Sequence, residues 1–70
     1  MDSYRACYYV SEDGQGEVVL TLPEHAHFSD EDLRAEALAE AHRGGLIGDA
    51  PPCVREEDFT ARLRIGLWAT

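Results

Sequence analysis

Residues 27–44, HFSDEDLRAEALAEAHRG, contain the start, the body and the end of one helix. Ser29 is a favourable N-cap residue, and the three carboxylates after it fill the first turn, where the helix dipole favours negative charge. Gly44 directly follows the basic Arg43, which predicts a left-handed C-cap at this glycine. The stretch therefore predicts a helix over residues 30–43.

At about 100° per residue this helix has an apolar arc and an acidic stripe. The apolar arc consists of Leu33, Ala37, Leu38 and Ala41, with Ala35 beside it. Because most of these side chains are small, we expect the helix to lie close against a flat sheet. The acidic stripe, expected on the opposite side, consists of Asp32, Glu36 and Glu40 at i, i+4 and i+8. Capping accounts for part of the role of Asp32 but not for Glu36 and Glu40. The stripe is therefore either solvated surface or a binding site for a basic partner.

Three segments outside the helix have the composition of strands. Residues 4–10, YRACYYV, and residues 17–22, EVVLTL, are rich in aromatic and β-branched residues. The intervening SEDGQG has two glycines available for positive φ, which predicts an antiparallel hairpin. Residues 59–68, FTARLRIGLW, alternate and predict a half-buried strand. Residues 44–57 predict a long loop, attached to the core edge by Leu46, Ile47 and Val54.

These elements predict one small α+β domain over residues 1–70 in the order β-β-α-β. A right-handed crossover after the second strand places the third strand beside the first. The expected sheet is therefore antiparallel or mixed, with three strands in the order 2-1-3 and one helix packed on one face.

The two faces of the expected sheet differ in composition. In the first strand we expect Tyr4, Ala6, Tyr8 and Val10 to face the helix, and in the third strand Phe59, Ala61, Leu63, Ile65 and Leu67. The outer face then shows Arg5, Cys7, Tyr9, Arg62, Arg64 and Trp68, with Glu17 from the second strand. Aromatic and arginine side chains are enriched at interface hot spots, so Tyr9, Arg62, Arg64 and Trp68 are candidate partner-binding residues, including for a homodimer. Alternatively, the two arginines pair with Glu17 across the strands and the tyrosines shield the sheet.

The charge balance limits the kind of partner. The chain has 14 acidic and 6 basic residues, all of the latter arginine, for a net charge of −8. Nucleic acid and anionic membranes repel such a chain, whereas a basic protein surface attracts it. The N-terminus has no basic, apolar segment of the signal-peptide type, and no apolar run is long enough to span a bilayer. The cytoplasm is therefore the expected location, with both cysteines free, although one bridge between them stays an alternative.

Sites for chemistry are sparse in this sequence. His25, His27 and His42 could form a zinc site with one of the cysteines, but the chain lacks the usual ligand spacings. Cys7 with a histidine, or Glu56 with Glu57, could be nominated for catalysis, but no third orienting group accompanies them. We therefore expect a non-catalytic protein without a cofactor.

Two resemblances give this expectation a concrete form. YYVSEDGQGEVVLTLPE, followed by SDEDLRAEALAEA, resembles the HicB-type antitoxin domain over residues 4–43, where a hairpin, a proline and an acidic, alanine-rich helix occur in this order. The chain departs from that family where PEHAHF replaces the Pro-x-x-x-Gly-Cys turn and where no DNA-binding tail follows. Its size, its acidity and its lack of enzyme motifs are similar to those of phage-encoded inhibitors such as anti-CRISPR proteins. Those inhibitors share no motif, so the resemblance transfers no site residue.

These observations predict a small protein-binding inhibitor that blocks a basic, nucleic-acid-binding surface of its partner through Asp32, Glu36 and Glu40. The competing hypothesis is a structural or accessory homo-oligomer that assembles through the outer sheet face. The first depends on charge and should weaken with salt, whereas the second should not.

Overall fold

The computed structural model describes residues 3–69, which form a three-stranded sheet and two helices. The elements are β1 (Ser3–Val10), β2 (Gly16–Pro23), α1 (Asp30–Arg43), α2 (Glu56–Arg62) and β3 (Leu63–Ala69). The strands lie in the order β2-β1-β3, and β1 is antiparallel to both neighbours. The expected α+β class and the strand order 2-1-3 are confirmed, and α2 is an additional helix.

The β1–β2 hairpin closes through a short turn. The Ser11 amide donates to the Gln15 carbonyl at 3.0 Å, and the Gly14 amide donates to the Ser11 carbonyl at 2.9 Å. Gly14 has φ +80°, a conformation that few residues other than glycine adopt readily. Further along the pair, Cys7 lies opposite Leu20 but Tyr8 lies opposite Val18, so β2 contains a bulge.

Helix α1 has the bounds that its caps predict. The Ser29 hydroxyl accepts the Asp32 amide at 3.2 Å. At the other end the Leu46 amide donates to the Ala41 carbonyl and the Gly45 amide to the His42 carbonyl, which is the Schellman pattern. The left-handed residue is Gly45, with φ +78°, whereas Gly44 has φ −81°. The expectation for Gly44 was therefore wrong by one residue.

Helix α1 packs on the sheet through small side chains. Leu33, Ala37 and Ala41 are buried, and they share one core cluster with Cys7 and with other sheet residues. Leu38 is partly buried against this cluster, whereas Ala35 is exposed. The alanines let the helix approach the strands closely, as the apolar arc predicts.

Residues 56–62 form a helix, so the prediction of a strand over residues 59–68 was wrong in its first half. Phe59 and Leu63 are both buried, and their spacing of four satisfies helical as well as strand periodicity. Ala61, which a strand would bury, is exposed. The acidic first turn at residues 56–58 favours the start of a helix at this point.

The sheet faces are reversed in β1 relative to the expectation. Cys7 and Tyr9 point toward the helices and belong to the core cluster. Because side chains alternate along a strand, Tyr4 and Tyr8 lie on the opposite face. The prediction that Tyr4, Ala6, Tyr8 and Val10 face the helix was therefore wrong. Arg5 also lies on the helix side, where it pairs with Asp30 at the start of α1.

The segment from Gly44 to Arg55 is a compact loop whose two ends are joined. Ile47 and Val54 form an isolated parallel bridge, and the Val54 amide donates to the Leu46 carbonyl at 2.9 Å. All three side chains are partly buried against the core, as expected.

Gly48 lies where this loop is tightest. A Cβ atom there would lie 2.8 Å from Cys53 Sγ and 2.9 Å from Cys53 Cβ. We expect Gly48→Ala to lower the free energy of unfolding by about 1–3 kcal/mol, the usual effect of overpacking. Urea unfolding measures this change. Gly66→Ala is the matched control, because its Cβ would make an ordinary 3.5 Å contact with Tyr8; equal losses in both variants would contradict the prediction.

Candidate interaction surfaces

The acidic stripe of α1 lies beside the packed face of the helix and not opposite to it. Asp32 and Glu36 are exposed, whereas Glu40 is partly buried and pairs with Arg43. Glu40 and Glu17 of β2 border the same shallow depression between the helix and the sheet edge. We call Glu17, Asp32, Glu36 and Glu40 the acidic flank.

Glu17 was not identified from the sequence as a neighbour of this stripe. Its place follows from the strand register, since it lies opposite the inward-facing Tyr9 and therefore points to the helix side. The expectation that Glu17 pairs with Arg62 and Arg64 on the outer face was wrong. Only the β1–β2 register, which the bulge shifts, decides the side of Glu17.

The positive charge of the chain is engaged within the chain. Four arginines lie close to carboxylates, in the pairs Arg5–Asp30, Arg43–Glu40, Arg55–Glu57 at 3.7 Å and Arg62–Glu12 at 3.6 Å. Arg34 donates to the Leu63 carbonyl at 3.2 Å, and Arg64 donates to the carbonyls of Ala61 and Leu63. Among residues 3–69, Glu17, Asp32 and Glu36 have no ion-pair partner. The acidic flank therefore keeps most of its negative charge.

Two residues expected on the outer sheet face lie elsewhere. Tyr9 is only 7% exposed and stacks on Phe59, with ring centroids 5.7 Å apart. Arg62 is the last residue of α2 and lies near Glu12 of the hairpin turn. The expectation that Tyr9 and Arg62 share an exposed face with Trp68 was wrong.

Arg64 and Trp68 do lie together on the sheet face that points away from the helices. Arg64 lies opposite Tyr8 and Trp68 opposite Tyr4 in the β1–β3 register. We call this surface the open face and define it by six residues that share it: Tyr4, Tyr8, Val18, Arg64, Gly66 and Trp68. Tyr4 and Tyr8 were missed as residues of this face because the other face of β1 carries Arg5 and was expected to point outward.

Cys7 is a core residue and not an activated nucleophile. Its side chain is fully buried, and burial raises the pKa of the Cys7 thiol, opposed in part by the charge of Arg34. The thiol is therefore protonated near neutral pH, and the thiolate, not the thiol, is the nucleophilic form. Both Cys7 and Cys53 are free.

The histidines do not assemble into a metal site in the described part of the chain. His42 Nε2 lies 2.9 Å from Glu56 Oε1, which links the end of α1 to the start of α2. Within residues 3–69 no three His, Cys, Asp or Glu side chains are grouped so that they could hold a metal ion. Over the same residues, neither helix has the length and apolarity needed to cross a membrane.

Comparison of the chain with models of protein families, with curated proteins and with solved structures finds no match.

Proposed function

We propose that this chain is a small, non-catalytic inhibitor that binds a partner protein through the acidic flank. The surface of the partner is basic, and in its free form it binds nucleic acid. The observation that carries the proposal is the uncompensated charge of Glu17, Asp32 and Glu36, while the arginines of the chain are engaged elsewhere. A basic surface that has evolved to hold phosphates attracts such an array of carboxylates.

The rigid helix that carries most of the acidic flank also supports a binding role. Three of its four carboxylates are on α1, whose N-terminus is capped by Ser29 and whose C-terminus is closed by Gly45. Because the helix is fixed at both ends and along its buried side, these carboxylates keep constant spacings. A preorganised array loses less conformational entropy on binding than carboxylates on a mobile loop.

Arg43 sets the C-terminal limit of the flank. Its guanidinium pairs with Glu40, so Glu40 contributes less net charge than Asp32 and Glu36. In this proposal the two free carboxylates of α1 make the main contacts, and Glu17 extends the flank to β2.

The concrete form that we propose is an anti-CRISPR-like or antitoxin-like inhibitor encoded by a phage or another mobile element and acting in the cytoplasm. In this proposal the chain acts by occupying the working surface of another macromolecule, which requires a shaped and charged exterior but no active site. The net charge of −8 is consistent with that mode of action and disfavours direct binding to nucleic acid.

The experiment compares three immobilised forms of the chain in a lysate of the source organism: the wild type, Asp32→Lys/Glu36→Lys, and Glu31→Lys/Asp49→Lys. Each double variant raises the net charge by four, and each reverses one residue in the first turn of α1, so both lose similar helix-dipole stabilisation. All four replaced side chains are exposed. We expect a basic, nucleic-acid-binding protein to be retained by the wild type and by Glu31→Lys/Asp49→Lys, and to be lost from Asp32→Lys/Glu36→Lys.

Two further readouts complete the test. The retained partner should elute at about 1 M salt, where the Debye length is about 3 Å. When the partner is bound to the chain, the partner should no longer reduce the gel mobility of its nucleic acid. Equal retention by all three forms, or a partner that still binds nucleic acid in the complex, would rule out the proposal.

A further inference from the structure

No helix covers the open face, although it is not polar. Both helices pack on the other side of the sheet, where Cys7, Tyr9 and Leu63 form the core with residues of α1 and α2. On the open face, Trp68 is 47% exposed and Val18 is 41% exposed. The remaining outward positions include Ala6, Val10 and Thr21. Among the described strand residues, Arg64 is therefore the one charged side chain on this surface.

This composition differs from that of a solvated sheet face. An antiparallel sheet with one wet face normally alternates apolar residues inward with polar residues outward. Here the outward positions of β1 are Tyr4, Ala6, Tyr8 and Val10, and the strand carboxylate Glu17 points to the helix side. The chain has 14 acidic residues, and the described part of this face carries none of them, so the negative charge is unevenly distributed over the surface. Depletion of charge together with enrichment of aromatic residues and arginine characterises the centre of protein interfaces.

The open face is also flat, because Tyr8 lies along the sheet. A Cβ atom at Gly16 would lie 3.3 Å from Tyr8 Cδ2, and one at Gly66 would lie 3.5 Å from Tyr8 Cε1. These contacts show that the tyrosine ring extends across β1 from β2 to β3, and only at Gly16 would a side chain crowd it. A ring held in this way is already positioned for stacking against a second flat surface.

We propose that the open face binds a second copy of this chain, with the two sheets packed face to face about a two-fold axis. Such an interface is self-complementary, since each contact between residue i and residue j occurs twice. The open face presents both a cation, Arg64, and the aromatic rings that a guanidinium stacks on. In two copies each Arg64 can stack on Trp68 of the other copy while its Nη1 keeps the hydrogen bonds to Ala61 and Leu63. The acidic flanks lie on the helix sides and stay outside the interface, and no carboxylate of the described strands points to the open face.

The dimer places two packed sheets in the centre and the helices on the outside. Adjacent sheets pack about 10 Å apart, which leaves space for one interdigitated layer of side chains. Nucleic acid would also stack on aromatic rings, but among the described strand residues Arg64 is the one cation on this face, which is too few to hold a phosphate backbone. The proposal does not depend on the inhibitor function, because it uses other residues, although the two surfaces meet at the β2 edge, where Val18 borders the same depression as Glu17 and Glu40.

The test measures association by sedimentation equilibrium from low micromolar to about millimolar concentration. We expect the wild type to dimerise, with an affinity in the micromolar range, because three strands of seven or eight residues offer only a small interface. Trp68→Glu places two carboxylates in the interface and is expected to weaken the dimer about 30-fold or more, the effect of losing a hot-spot residue. Val18→Glu tests the same face from the other edge strand and should also weaken the dimer.

Leu67→Glu is the matched control. Leu67 is adjacent to Trp68 and is 70% exposed, but it lies opposite Arg5 on the helix side of the sheet. The Leu67→Glu chain should dimerise like the wild type, and circular dichroism should show that all variants are folded. Trp68 is the only tryptophan of the chain, so its fluorescence should shift to the blue as the concentration rises.

Two results would overturn the proposal. One is a wild-type chain that stays monomeric up to about millimolar concentration, which would leave the open face to another partner or to solvent. The other is a dimer that Leu67→Glu weakens as much as Trp68→Glu does, which would move the interface away from the open face. Salt separates this association from the inhibitor function, because about 1 M salt should leave the dimer intact while releasing a partner from the acidic flank.

Discussion

Replacing Phe59 with alanine is expected to lower the free energy of unfolding by about 3–5 kcal/mol. Phe59 is fully buried, and its ring stacks on Tyr9 at 5.7 Å with an angle of 18° between the planes. The loss combines the removal of a large apolar side chain from the core with the cavity that remains. A domain of 70 residues is stable by only about 4–10 kcal/mol, so this one change removes a large part of the total.

The position of Phe59 in α2 increases the expected loss. This helix has only seven residues, and its N-cap, Arg55, makes no side-chain hydrogen bond to the first turn. A helix of this length is not stable in isolation and depends on tertiary packing. Phe59 is the buried residue of α2, so its truncation should release the helix as well as empty the core.

Urea unfolding followed by circular dichroism measures the loss. Thr60→Ala is the control, because Thr60 is the exposed neighbour on the same helix. Ala61→Glu tests the helical assignment itself: in α2 the residue is exposed and the change should be tolerated, whereas in a strand it would bury a charge. A severe loss in Ala61→Glu, or a loss in Phe59→Ala no larger than in Thr60→Ala, would contradict this account.

Replacing Ala37 with leucine is expected to destabilise the protein by about 1–3 kcal/mol or more, through overpacking. Ala37 is fully buried between Leu33 and Ala41 on the face of α1 that lies against the sheet. Three extra carbon atoms at this position would push the helix away from the strands or force side chains out of their rotamers. Because the core is small, few neighbours can move to make room.

Ala35→Leu is the matched control for this prediction. Ala35 is two residues away on the same helix and is exposed, so the same increase in volume meets solvent. Thermal unfolding of both variants should show a clear loss for Ala37→Leu and little change for Ala35→Leu. Equal stability of the two variants would mean that α1 does not lie close to the sheet.

The two proposed surfaces consist of different residues and can act at the same time. Dimerisation through the open face would leave two acidic flanks exposed, each on the helix side of its own protomer. A basic partner with two sites would then bind more tightly through avidity, without any new contact. Binding at the flank should therefore weaken in Trp68→Glu only when the partner offers more than one site.

Local signals in the sequence were sufficient for the hairpin and for α1. The bounds of α1 follow from Ser29 and from the glycines after Arg43, and its buried side follows from the spacing of Leu33, Ala37 and Ala41. The strand order 2-1-3 follows from a general rule of chain connection and needs no side-chain detail. Each of these features depends on residues close together in the chain or on topology.

Contacts between distant residues decided the rest. The four-residue spacing of Phe59 and Leu63 fits a helix and a strand equally well, and packing of Phe59 on Tyr9 selects the helix. Likewise, Arg5 pairs with Asp30 and Arg62 with Glu12, and these residues are too far apart in the sequence for a local pattern to predict the pairs.

The inward face of β1 is the clearest example of this limit. Periodicity favoured Tyr4 and Tyr8 as the inner face, because the face of Cys7 and Tyr9 also carries Arg5. The tertiary structure decides otherwise, because the close approach of α1 and the ring of Phe59 accommodate Cys7 and Tyr9 on the inside. The same choice leaves Tyr4 and Tyr8 half-buried and Trp68 exposed on the open face.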